Sequence, residues 1–340
     1  NMSPMFKTRR MEAGVVLRAA AISLVALNHA NPDIDQVLGF NFSGGMSVLM
    51  ALSGYFFAKF VLDAPSLPQM RHRLIGFGRS ILLPSFFMVL FFFIILRKFD
   101  VLELLFIRNL FTDGRISKFP TWYPQVMMQI LIVVYILSYI GLIRNFGRKL
   151  LPYSVVLLFV ASVLLRFYLD NYSDGLDHPT LPYSRFWNFC LGWCFYFFAD
   201  PSRTPKGNRV AMAALAIASS FLVYGAAKLP AYCLIAGTLI FLFVRDIAVP
   251  AILHKLITIV AMANLHIFLW HRFFFEIYED IMHVTAQGGF GMWLFGMSAS
   301  VVLWIGWEAA VRTAREFALA STSLKSKVIP SVRSHTLPAS

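Results

Sequence analysis

Residues 13–30 read AGVVLRAAAISLVALNHA, an apolar run long enough to cross a bilayer that nevertheless carries Arg18 and His29. The two ionisable residues are eleven positions apart, about three helical turns, so they share one helix face and sit ~16 Å apart along the axis. A charged side chain held in hydrocarbon costs about 2.5–3.5 kcal/mol on insertion scales. Two such residues on one stripe therefore call for partners at matching depth on other segments. The bland alternative has the Arg reaching to one headgroup layer and the His resting at the other.

Working outward, the whole chain has this character. It has 340 residues, 58% of them hydrophobic and only 14% charged, with mean hydropathy +0.68. That composition excludes an ordinary soluble domain and indicates an all-α polytopic membrane protein. The formal net charge is +13. The basic residues lie in short runs between apolar segments, which is the signature of membrane orientation rather than of nucleic-acid binding. Cys190, Cys194 and Cys233 all fall inside apolar segments, so no disulfide framework and no metal site is expected. The first apolar segment is long and lacks a small-residue cleavage site, so it reads as a span and not as a cleavable signal.

Ten spans of roughly the required length can be drawn, at 13–31, 38–62, 80–97, 125–144, 151–169, 184–200, 209–227, 230–246, 256–275 and 288–311. With both termini in the cytoplasm, nineteen of the 30 Lys and Arg residues fall on the cytoplasmic side and seven outside, which favours that orientation. Residues 98–124 form a long external loop, with Val101 to Phe111 expected as a short interfacial helix. The transmembrane domain is drawn as 1–315. Residues 316–340 are expected to be a disordered cytoplasmic tail, rich in Ser, Lys and Pro from Ser321 onward.

Orientation assigns depth. His29 and His271 come to the external ends of the first and ninth spans, and Trp122, Gln125 and Gln129 to the external half of the fourth. Buried polar groups need partners, and convergence at one level is the cheapest way to supply them. His266 is expected to be a hydrogen-bonded core histidine, and Arg166 and Asp170, four apart, an ion pair along one helix. On the opposite side Arg71, Arg73 and Arg79 open the third span. With Arg18 they would form a cationic mouth for a phosphate-bearing donor, because guanidinium binds phosphate bidentately.

These residues resemble the signatures of the acyltransferase 3 family, integral membrane enzymes that acylate glycans and other acceptors. The first is RAAAISLVALNH, Arg18 to His29; the second is the Ser-Gly segment ALSGYFFAKF with Ser53 and Gly54. RHRLIGFGRSILLP opens the third span, and NLHIFLWH ends at His271. The fourth-span motif TWYPQVMMQ departs from the pattern, with Gln125 and Gln129 where a carboxylate is often found.

The resemblance implies a multi-pass enzyme of the bacterial inner membrane. It would move an acyl group, acetyl or succinyl, from cytoplasmic acyl-CoA to a hydroxyl of an extracytoplasmic or lipid-linked polysaccharide. Arg18, Arg71, Arg73 and Arg79 would bind the donor. His29 would serve as general base or accept the acyl group itself, with His271 orienting it. Trp122, Gln125, Gln129 and Ser53 would shape the acceptor pocket. The implied partners are acyl-CoA, the glycan or lipid-linked sugar, the lipid bilayer and proteins of polysaccharide assembly. A transporter or flippase of a lipid-linked glycan is the alternative, since polar residues at matched depth also line conduction paths.

Overall fold

The computed structural model describes residues 8–30, 44–97, 99–111, 121–139, 151–172, 180–200, 202, 204–226, 228–282 and 289–328. Helix α1 spans Ala13–Ala30, α2 Gly45–Phe57, which a π-helical stretch Ala58–Leu62 extends to an 18-residue span, and α3 Leu67–Leu96. A short α4, Val101–Leu104, and a 3-10 turn, Arg108–Leu110, lead to α5, Trp122–Tyr139. Then come α6 (Leu151–Tyr172), α7 (Pro182–Phe198), α8 (Lys206–Tyr224) and α9 (Leu229–Phe243). The chain closes with α10 (Ala251–Met262), α11 (Asn264–Met282) and α12 (Gly289–Val328).

This is an all-α polytopic membrane protein. Seven of the described helices are long and apolar enough to cross a bilayer, or eight counting α10 and α11 as one broken span. Large apolar side chains such as Ile94, Leu157 and Val302 lie 68–77% exposed on the outside of the bundle. That is affordable only against lipid. Each of the ten apolar segments meets a helix, but α7 and α9 stop at 17 and 15 residues, short of the ~20 that a straight crossing needs. The segment 256–275 is not one straight helix. Ala263, at φ −77° and ψ 1°, breaks the helical run, and α10 and α11 meet at 80°.

Polarity and glycine decide the packing. Helices α2 and α7 cross so closely that a Cβ on Gly192 would collide with the Ala51 carbonyl, and one on Gly54 with that of Phe189. In a bilayer, where helix association has no hydrophobic drive, such small-residue contacts carry the packing. The Ser-Gly signature of the second span thus has a structural half, Gly54, beside a polar half, Ser53. Trp293 donates its indole N–H to the Ser23 carbonyl at 3.1 Å and ties α12 to α1. In α3, Pro84 has no N–H to offer the Ser80 carbonyl one turn back.

A small antiparallel ribbon, which no alternation in the sequence announced, links β1 (Thr8–Glu12) to β2 (Asp246–Pro250), with Arg10 opposite Ala248. It fastens the start of α1 to the turn between α9 and α10. Helix α12 continues past residue 315 to Val328, and the rest of the expected tail, 329–340, lies outside the described residues. All three cysteines are free.

Candidate active site

Helices α1 and α11 bring His29 and His271 into direct contact. His29 Nδ1 lies 2.7 Å from His271 Nε2, and the two rings are 7° from parallel with centroids 5.0 Å apart. His271 is 1% exposed, and its Nδ1 lies 2.7 Å from the Ile267 carbonyl one turn earlier. A carbonyl only accepts, so His271 Nδ1 carries a proton, and in the neutral ring His271 Nε2 is an acceptor. His29 Nδ1 must then be the donor across the pair. The chain of bonds ends with a lone pair on His29 Nε2, fixed in direction by two hydrogen bonds behind it. The arrangement can take a proton from a hydroxyl and share the resulting charge with the second ring.

Below this pair lies a cavity of about 630 Å³ lined by α1, α2, α3, α5, α11, α12 and Met262 at the end of α10. Arg18 borders it with its guanidinium 3.9 Å above the Phe56 ring. No ion pair to Arg18 forms among the described residues. Ser53 also lines the cavity; it donates to the Leu49 carbonyl at 2.8 Å, so the Tyr123 hydroxyl, 2.8 Å away, donates to it. Phe268 closes the end toward the histidines. Its ring centroid lies 5.2 Å from that of Tyr123, 5.8 Å from that of Trp122 and 6.3 Å from that of His271.

The expected donor cations separate. Arg79 reaches the cavity, joined by Arg315 from α12. Arg71 does not line it; it donates to the Ser138 hydroxyl at 3.1 Å and the Ser138 carbonyl at 2.8 Å and lies 3.5 Å over the Tyr139 ring. Arg73 reaches the Phe60 carbonyl at 3.4 Å, also outside the cavity lining.

The two glutamines do different work from that expected of an open pocket. Gln125 is 1% exposed; it donates to Glu103 at 2.8 Å and Thr121 at 2.9 Å, and accepts from the Asn109 backbone at 2.8 Å. Gln129 donates to the Phe106 carbonyl at 3.1 Å and to Asn109 at 2.7 Å. Both amides are spent on holding the 101–111 segment against α5. That segment is two short turns, not one interfacial helix. It also returns a carboxylate to the fourth-span motif, since Glu103 accepts from Thr121 at 2.6 Å as well. Trp122 packs on Phe268, with the Arg185 guanidinium 5.4 Å from its ring on the α7 side.

Some residues were missed in the sequence. His266 is not a satisfied core histidine: it is 6% exposed, lines the cavity, and its Nε2 has no hydrogen-bond partner. Trp304, Trp307, Val311 and Arg315, three and four residues apart, line the same cavity along α12, with Glu308 beside Trp307. That stripe was readable as one helix face. The Arg166–Asp170 pair forms as expected at 2.8 Å.

A family model described as an acyltransferase domain (Acyl_transf_3) matches residues 16–307 of the chain, from just before Arg18 to Trp307. No curated protein and no solved structure matches it.

Proposed function

This chain belongs to the acyltransferase 3 family, and on that premise we propose that it moves an acyl group from acyl-CoA to a hydroxyl of an envelope glycan or lipid-linked sugar. The carrying observation is the directed lone pair of His29 Nε2, backed by His271 and the Ile267 carbonyl. The cavity bordered by Arg18 and Arg79 supports a phosphate-bearing donor entering from the opposite side. The bias of Lys and Arg supports that side being cytoplasmic, and the bacterial inner membrane is what the family resemblance implies.

The ~16 Å between the Arg18 and His29 levels suits the reach of a pantetheine arm laid along α1. In the reaction, His29 Nε2 takes the acceptor hydroxyl proton as the oxygen attacks the thioester carbonyl. A C–O ester bond forms, the C–S bond breaks, and the proton passes to the leaving CoA sulfur. Phe268 stands between cavity and imidazoles, so its ring must turn off Tyr123 for the thioester to arrive. The acyl group is acetyl or succinyl.

Incubating the purified protein with acyl-labelled CoA and envelope glycan tests this. The expected result is label on sugar that falls about 10²–10⁴-fold in His29→Ala. A glycan that is translocated but never labelled would replace the enzyme with a transporter.

A further inference from the structure

We infer that the part of the cavity formed by Asn264 on α11 and by Trp304 and Trp307 on α12 is the seat of a purine base, the adenine of the donor. This rests on the acyl-CoA reading above and adds the residues that recognise the nucleotide.

The cavity has two chemically distinct sets of walls. Helices α1 and α3 supply the guanidiniums of Arg18 and Arg79, which suit phosphate, and the far end of the α12 face adds Arg315, with Glu308 beside Trp307. Helix α12 supplies two half-buried indoles three residues apart, Trp304 and Trp307, on one face. Helix α11 adds Asn264 directly after the break at Ala263, with His266 one half-turn on. The His266 ring lies 5.9 Å from that of Trp307, tilted by 50°, and its Nε2 is buried without a partner. The Asn264 carboxamide, half-buried, makes no hydrogen bond among the described residues.

An acyl chain or lipid tail would leave such an amide and imidazole unsatisfied, and a phosphate alone would have no use for indole faces. A flat heterocycle with donors and acceptors on its edge uses both. Asn pairs bidentately with the adenine amino and N7 edge, and stacking on an aromatic side chain strengthens base binding about tenfold or more.

Depth agrees. Gly296 abuts Phe275 and the His271 carbonyl, and Trp307 is eleven residues further along α12. That is ~16 Å, the same distance as from His29 to Arg18. A donor bent at its diphosphate thus has its phosphates on Arg18 and Arg79 and its base on the indoles, leaving the pantetheine arm to run toward the histidines.

The test is equilibrium binding of labelled acetyl-CoA to the full chain in detergent, displaced by CoA, by 1,N6-etheno-CoA or by 4′-phosphopantetheine. The etheno ring blocks the amino edge, and phosphopantetheine lacks the adenosine together with its 5′- and 3′-phosphates. Wild type should prefer CoA over each by about tenfold or more. Asn264→Leu should bring the CoA to etheno-CoA ratio close to one. Trp307→Leu should lower the CoA to phosphopantetheine ratio about tenfold, leaving the preference that Arg18 and Arg79 give through the phosphates. Should Trp307→Leu fail to fold, Trp304→Leu and Asn264→Leu carry the test. Saturable acetyl-CoA binding with a wild-type CoA to etheno-CoA ratio near one, or variants that weaken all three competitors alike, would remove the base seat and leave the donor reading standing. Absence of any acetyl-CoA binding would remove both.

Discussion

The histidine pair between α1 and α11 and the glutamine cluster around Glu103 are both buried polar islands in a largely apolar bundle, and their hydrogen-bond accounts close differently. In the glutamine cluster, Gln125, Gln129, Asn109, Thr121 and Glu103 give and accept among themselves and with backbone carbonyls. Its polar groups are consumed in fixing a connecting segment. The histidine chain begins at the Ile267 carbonyl, runs through His271, and ends on a lone pair of His29 that no described residue takes. A saturated network holds a fold, whereas a chain with one open end can do proton chemistry.

The contrast can be broken most decisively at His29. His29→Ala should lower acyl transfer about 10²–10⁴-fold with little change in melting temperature. Comparable transfer by the variant at equal protein level would erase the distinction. His271→Phe keeps an aromatic ring against Phe275 but removes the acceptor that orients His29. Its transfer rate should fall about 10²-fold, at the lower end of the general-base range, again without loss of folded protein.

Gln125→Leu should behave in the opposite way. It takes a donor from the buried Glu103 carboxylate, so stability should drop by about 1–3 kcal/mol. Thermal unfolding reads that drop, while transfer per folded molecule stays near wild type. A stable but inactive Gln125→Leu would move the glutamines back into the acceptor site. The smallest effect separates the arginines. Arg79→Ala, on the cavity, should raise the apparent KM for the donor about tenfold, the value of one charge-assisted hydrogen bond. Arg71→Ala, which stacks on Tyr139 outside it, should change the KM less than about twofold.

The sequence carried the helical bundle and the meeting of His29 with His271, because hydropathy and matched depth are one-dimensional properties. It placed the glutamines at the right level but could not say what they face. Glu103 comes from a connecting segment whose fold depends on tertiary contacts, so the partner that saturates Gln125 was invisible. The α10–α11 break was hidden because Ala and Asn at 263–264 leave the apolar run unbroken while the backbone turns by 80°. His266 was read as satisfied on the general expectation for buried histidines, and only the position of Trp307 across from it reveals a cavity wall. The basic cluster before α3 could not be divided, since a helix face is selected by its neighbours: Ser138 and Tyr139 take Arg71, and the cavity takes Arg79.

The central claim is that His29 Nε2 carries the open lone pair. Nitrogen-15 NMR of the histidine-labelled protein in lipid reads it directly, using His29→Ala and His271→Phe to assign the signals. The account predicts both imidazoles neutral and protonated on Nδ1, with His29 Nε2 showing the shift of an unprotonated ring nitrogen. A His29 protonated on Nε2, in either its neutral or its charged form at neutral pH, would contradict it.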